Sequence, residues 1–205
     1  MNDGLCWIAD TYPFGYSITL CENLTPEEAL HRLGAQLESL LPLTRDQAQA
    51  IEVHNAGGAR FGLPDELNLD TEALTCHGFL RPEADAIVRA GTAGNWAFTI
   101  QASISHTLRP FLEDLSHNTR VLAHSTDVNA TQSVAYAVNG QTLSAFDPIF
   151  PEYIGGAKPS EFPAPAGTRM GPKETLAYVE SVFGIGISPE TEFQPLPTAA
   201  LSSRA

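Results

Sequence analysis

Six histidines, three cysteines and a scatter of carboxylates are the groups that could do chemistry in this chain of 205 residues. The histidines are His31, His54, His77, His106, His117 and His124. None has H-E-x-x-H or H-x-H spacing, so no metal site is expected. An acid–base pair needs an imidazole with a carboxylate nearby, because imidazole titrates near neutrality and a carboxylate orients it. His124, His106, Asp127 and Glu113 are the candidates for that role. The commoner fate of each is a solvated or locally satisfied side chain.

Cys76 and His77 adjoin, and a thiolate beside an imidazolium is a good nucleophile. Thr75 to Leu80 reads as a strand, however, and neighbours on a strand point to opposite faces. Cys76 is therefore expected to be a small buried hydrophobe. Glu27 and Glu28 are accounted for by helix capping, and Glu113 and Asp114 by a solvated helix face. Asp147, between an apolar strand and Pro148, suits a turn. Five aromatics, Trp7, Tyr12, Phe14, Tyr16 and Trp96, are the candidate binding set. Tyr16 and Trp96 lie within strands and suit core packing. Trp7, Tyr12 and Phe14 sit in a Pro/Gly context and are freer to meet a partner or line an apolar pocket.

The elements that must position these groups are legible in part. Tyr16 to Cys21 alternates and reads as a strand. Thr25-Pro26-Glu27-Glu28 opens a helix, with Thr25 as N-cap, Pro26 at N1 and Glu28 at N3. Leu30, Leu33 and Leu37 form its apolar stripe. Thr44-Arg45-Asp46-Gln47 offers a second capping box, followed by a short helix with Ala48 and Ile51. Ala86 to Ala90 and Trp96 to Gln101 are strands, the second with Trp96, Phe98 and Ile100 on one face. Leu108 to Leu115 has helical spacing. Val121 to Thr126, Ser133 to Val138 and Thr142 to Phe146 are further strands, and Asn139-Gly140 between the last two is a strong hairpin signal. Residues 148–172 are Pro- and Gly-rich and read as irregular. Lys173 to Phe183 reads as a helix.

These elements give an α+β fold, a mainly antiparallel sheet with helices packed on one face. A weak repeat relates Ser17 to Leu20 plus the helix at Thr25 to Ala97 to Ile100 plus the helix near Thr107, two strand–helix–strand halves. One domain is expected over 1–187, with a flexible C-terminal tail at 188–205.

The charge balance, 24 acidic against 11 basic residues, is −13. Such a surface repels nucleic-acid phosphates and anionic membranes. No apolar run approaches a membrane span, no signal-peptide pattern is present, and three scattered cysteines build no disulfide framework. A cytoplasmic protein is expected. No G-x-G-x-x-G or Walker sequence is present, so no nucleotide cofactor is expected. Oligomeric state is left open.

Asn95-Trp96-Ala97-Phe98-Thr99-Ile100, the helix ending Leu115-Ser116, Thr119-Arg120-Val121, Tyr136-Ala137-Val138-Asn139-Gly140 and Phe146-Asp147-Pro148 occur in an order that resembles an actinobacterial family of uncharacterised proteins. Its pattern is W-x-x-x-[IV]-[EQ], a helix, Y-A-x-[DN]-G and F-[DE]-P. Leu24 to Gly34 is similar to the opening of that family. The resemblance spans Trp7 to Gly171 and implies architecture, with no activity attached. Where Gln101 stands the family usually has Glu, which weakens a carboxylate mechanism at that position.

Two functional expectations follow. The first is a non-catalytic interaction or regulatory domain that binds a protein partner or small effector through an aromatic, acidic surface. The second is a cofactor-free cyclase, isomerase or hydrolase using His124, His106, Asp127 and Glu113 in an aromatic pocket.

Overall fold

The computed structural model describes residues 4–57, 62–81, 84, 86–102, 111–165 and 167–202. The chain runs α1 (Trp7–Thr11), β1 (Tyr16–Glu22), α2 (Pro26–Arg32), β2 (Leu41–Leu43), α3 (Arg45–Gly57), α4 (Thr71–Cys76), β3 (Ala86–Ala93) and β4 (Trp96–Gln101). It continues through α5 (Leu112–Leu115), β5 (Arg120–Thr126), β6 (Gln132–Val138), β7 (Gln141–Asp147), β8 (Phe150–Gly155), α6 (Pro172–Phe183) and β9 (Leu196–Leu201).

The strands form one sheet in the order β2-β9-β3-β4-β1-β5-β6-β7-β8, and every pairing is antiparallel. The α+β class and the antiparallel sheet are as the sequence implies. Local chemistry sets many of the boundaries. Thr25 Oγ1 accepts the Glu28 N–H at 3.1 Å, and Pro26 occupies N1 of α2. At α3 the capping box is reciprocal: Gln47 N–H donates to Thr44 Oγ1 at 3.3 Å and Thr44 N–H donates to Gln47 Oε1 at 3.0 Å. Asn139 and Gly140 both take positive φ, 51° and 80°, which a two-residue hairpin of the primed type requires.

The helices are not confined to one face. Ile18, Leu20, Trp96, Phe98, Ile100, Leu122, Val134 and Tyr136 pack with Ile8 of α1 and Leu176 and Val179 of α6. On the other face Cys21, Ala90, Ala97, Val121, Ala123, Ala135 and Ala137 pack with Leu30 of α2 and Leu112 and Leu115 of α5. The second face is built largely of alanine, and these small side chains let helices lie close to the sheet. Central strands buried on both sides carry apolar or small residues throughout. The alternation in β1 and β4 therefore reflects large against small and not buried against exposed.

Three further expectations are corrected. Thr75 to Leu80 is not a strand. Asp70 Oδ1 accepts the Ala73 N–H at 3.0 Å and caps α4, which ends at Cys76. Cys76 is exposed and not a buried hydrophobe. Residues 188–202 of the expected flexible tail are ordered into the fold, since β9 lies between β2 and β3 with Leu196, Thr198, Ala199 and Leu201 buried, and 203–205 lie outside the described residues. Pro197 pairs with Pro42 close to the sheet edge, where two missing N–H donors are tolerated. The irregular segment 148–172 also contains β8, an edge strand after the turn in which Asp147 Oδ1 accepts the Ile149 N–H at 2.8 Å.

Candidate functional site

The segment from Tyr12 to Tyr16 leaves α1 and enters β1 through a tight turn. Gly15 has φ 120°, and a Cβ there would lie 2.7 Å from the Thr126 carbonyl oxygen, so glycine is required. The two tyrosines that bracket the turn are anchored in the core. The Tyr12 hydroxyl donates to Glu192 Oε1, and burial beside that carboxylate raises its pKa. Tyr16 is fully buried, and its hydroxyl lies 3.3 Å from His124 Nδ1. Between them Phe14 is 78% exposed. The turn is a ridge with a rigid base and an apolar tip.

A cleft opens on each side of this ridge. One, of about 380 Å³, lies between the turn, the β5–β6 connection at Asp127 and Val128, and the start of α6 at Pro172 to Glu174. An exposed Lys173–Asp10 ion pair at 2.6 Å stands at its rim. The other, of about 290 Å³, lies between Thr11 to Phe14 and the α3 face that carries Arg45, Gln49, Glu52, Val53 and Ala56. Beneath it lie Arg89 and Gln101, both buried.

Glu52 is the chemically notable group of the second cleft. Its carboxylate accepts the Ile87 backbone N–H, beyond the last β3–β4 pair, while Oε1 is buried with no hydrogen-bond partner. Burial pushes its pKa up from 4.5 to about 7, opposed by that hydrogen bond. Arg45 is engaged with Asp46 at 2.8 Å and lies 5.5 Å from the Phe193 ring centroid. Arg89 is buried and fully used. It donates to Glu192 Oε1 at 2.9 Å, to the Glu192 carbonyl at 2.9 Å, and to the Leu43 and Gln194 carbonyls.

The acid–base candidates do not come together. His124 is fully buried in β5 beneath Tyr16. Gln132 Nε2 donates to the Met170 carbonyl at 2.8 Å, so Gln132 Oε1 faces His124 Nε2 at 3.2 Å. That orientation puts the proton on Nε2, and Nδ1 accepts from Tyr16. The ring is a satisfied neutral core residue, and burial lowers its pKa from 6.5 to about 4. Asp127 Oδ1 accepts the Asn129 and Thr131 N–H groups, each at 2.9 Å, and shapes the β5–β6 turn. Glu113 is exposed on α5, which packs on the opposite face of the sheet from His124. His106 lies outside the described residues.

Of the aromatic set, Phe14 alone is exposed. Trp7 is half-buried, and its indole N–H donates to the Gly4 and Ile187 carbonyls at 3.0 and 2.8 Å. Trp96 is buried, with the Arg120 guanidinium 5.6 Å from its ring centroid. These side chains hold α1 and the hairpins in place and are not a free surface. Sequence reasoning missed Glu52, Arg89 and Glu192, and touched Gln101 only as a departure from the family pattern. The signal available for Glu52 was its place one residue after Ile51 on α3, at the margin of the apolar face. For Arg89 it was a lone cation within an apolar strand.

One comparison bears on what this arrangement belongs to. A family model matches residues 3–165, most of the chain. The protein belongs to the family of unknown function DUF6461. No curated protein and no solved structure matches the chain. The family match takes in the Tyr12–Tyr16 ridge, α3 with Glu52, and Arg89 of β3. It stops before α6, Glu192 and β9. Among the described residues, no helix is long and apolar enough to cross a membrane.

Proposed function

We propose that the protein is a cytoplasmic, non-catalytic regulatory domain that binds a small effector at the ridge formed by Tyr12 to Tyr16. The observation that carries this reading is Phe14. A large apolar side chain stands in solvent on a turn whose two ends are fixed in the core, with a concave cleft on each side. Ordering such a site costs little on binding, because its backbone is already set by Gly15 and the flanking tyrosines. Cleft volumes of about 290 and 380 Å³ stand at the lower end of small-molecule sites. A protein partner would press on the same ridge but would need a broader apolar surface than Phe14 provides.

A second reading, a cofactor-free enzyme, is favoured by one observation. Glu52 is a buried carboxyl whose pKa lies near neutrality beside a cleft, the condition a general acid or base needs. Of the residues first expected in that role, His124 and Asp127 are engaged elsewhere and Glu113 is exposed on the other face of the sheet. Binding is preferred because no second titratable group is free to share a proton with Glu52 among the described residues lining that cleft.

The test is a fragment screen read by backbone amide chemical shifts. Perturbations are expected to cluster on Thr11 to Gly15 and on one flanking cleft, and to weaken at least about tenfold in Phe14→Ser. Perturbations gathered at a distant surface, or binding indifferent to Phe14→Ser, would reject this reading.

A further inference from the structure

The cleft between the ridge and α3 carries a more specific message, which rests on the effector-binding reading. Its walls are apolar where Pro13, Phe14, Val53 and Ala56 face it. Three polar groups at or next to it are already engaged. The Tyr12 hydroxyl is given to Glu192, Arg45 is paired with Asp46, and Arg89 is held by Glu192 and three carbonyls. Glu52 is different. One part of the carboxylate is satisfied by Ile87, while Oε1 is buried and unpartnered. A buried carboxylate oxygen without a donor is costly, and a donor brought by a ligand would relieve that cost.

Capping the end of β3 accounts for one oxygen and leaves the other unexplained. An anionic ligand would meet that oxygen with repulsion. A net charge of −13 favours approach of cations instead. A flat ligand fits a slot walled by proline, phenylalanine and valine, and N–H donors at one edge match a carboxylate. We propose that this cleft binds a small planar amine or amidine, with Glu52 accepting its N–H groups and Phe14 and Val53 covering its apolar face.

Ionisation of Glu52 is required for the charged form of this contact. The titratable and charged groups that line the clefts with Glu52 are Arg45 of α3, Tyr12 at the end of α1 and Arg89 of β3. With the carboxyl titrating near neutrality, affinity rises with pH about tenfold between about pH 6 and pH 8, as the ionised fraction climbs.

The experiment uses benzamidine as probe, with benzamide and benzoate of the same shape as controls, on the full chain. Binding is read by calorimetry and by the amide shifts of Glu52, Val53, Ala56 and Phe14. Benzamidine is expected to bind with a Kd of about 1 mM or tighter, to shift those amides, and to strengthen with pH. Glu52→Gln, which keeps the shape and the neutral form that burial favours, is expected to weaken it at least tenfold. Ala56→Phe, which fills the cleft from an exposed position without touching the carboxylate, is expected to do the same.

Absence of benzamidine binding overturns the assignment, as does benzoate or benzamide binding equally well. Equal affinity in Glu52→Gln overturns it too. If the controls still bind and are weakened by Ala56→Phe and Phe14→Ser, the effector-binding reading survives that failure. If no probe of any charge shifts these amides, both fail.

Discussion

Glu192 Oε1 lies 2.9 Å from Arg89 Nη1, and each side chain is 3% exposed. The pair joins β3 to a 3₁₀ turn, Pro189–Phe193, that stands more than a hundred residues later in the chain. Tyr12 donates to the same carboxylate oxygen. The ridge at the candidate site is thus tied through one buried carboxylate to both the sheet and the C-terminal segment.

Breaking that triad is expected to cost more than a surface ion pair. Arg89→Met leaves Glu192 charged and buried, and a loss of about 3–5 kcal/mol is expected in urea denaturation. Tyr12→Phe removes one charge-assisted hydrogen bond and should cost about 1.5–3 kcal/mol. In the double variant the two losses should fall short of their sum, since both act on Glu192. Full additivity would show that the two contacts are independent.

Stability should respond to pH through two opposed groups. His124 titrates at about 4 when folded, against 6.5 for the free side chain, because burial disfavours the imidazolium. Its contribution is complete above pH 6.5 and is lost as pH falls toward 4, about 3 kcal/mol over that window. Glu52 is raised from 4.5 to about 7, so folding favours its protonated form, and stability is lost as pH rises from 4.5 through 7. Between about pH 4.5 and 6.5 the two slopes nearly cancel. His124→Asn is expected to leave stability falling with pH across that range, and Glu52→Gln to leave it rising. Denaturation midpoints measured at half-unit pH steps check both, and parallel profiles in the two variants would contradict the assignment.

Removing residues 196–205 should abolish cooperative folding. The deletion strips β9 from between β2 and β3 and removes the burial of Leu196, Ala199 and Leu201. At about 1.5–3 kcal/mol for each large apolar side chain, the loss exceeds about 3 kcal/mol before the broken ladder is counted. A truncated chain that melted like the intact one would show that β9 is dispensable.

Gly91 in β3 pairs with Phe98 in β4, and a Cβ at position 91 would lie 2.5 Å from the Phe98 ring. The ring covers the glycine across the strands. Gly91→Ala is expected to cost about 1–3 kcal/mol by forcing that ring aside. Gly91→Ala with Phe98→Leu should recover part of the loss, which a thermal melt will show.

Much of the frame is visible in local sequence. The capping boxes at Thr25 and Thr44, the hairpin at Asn139-Gly140 and the large residues of β4 act within a few residues of themselves, so the string alone predicts them. The short α1 was not foreseen. It has only five residues, no side-chain cap, and owes its place to Trp7 and Ile8 docking on the core. Thr75 to Leu80 misled because β-rich composition is weaker than the Asp70 cap that precedes it. Of the site, context read Tyr16 as core and Tyr12 and Phe14 as freer; Tyr16 is buried and Phe14 exposed, but Tyr12 is buried too, because its distant partner Glu192 is not visible locally.

The sequence by itself determined the class: an antiparallel sheet with capped helices, an acidic surface, and aromatics gathered ahead of the first strand. Those properties depend on short-range hydrogen bonding, residue type and net charge. Tertiary structure alone decided that Leu196 to Leu201 enters the sheet, that helices cover both faces, that His124 is a neutral core residue and that Glu52 keeps one oxygen buried without a partner. Each of these depends on partners far apart along the chain, and on burial, which changes what a carboxylate or an imidazole can do without leaving any mark on its neighbours in sequence.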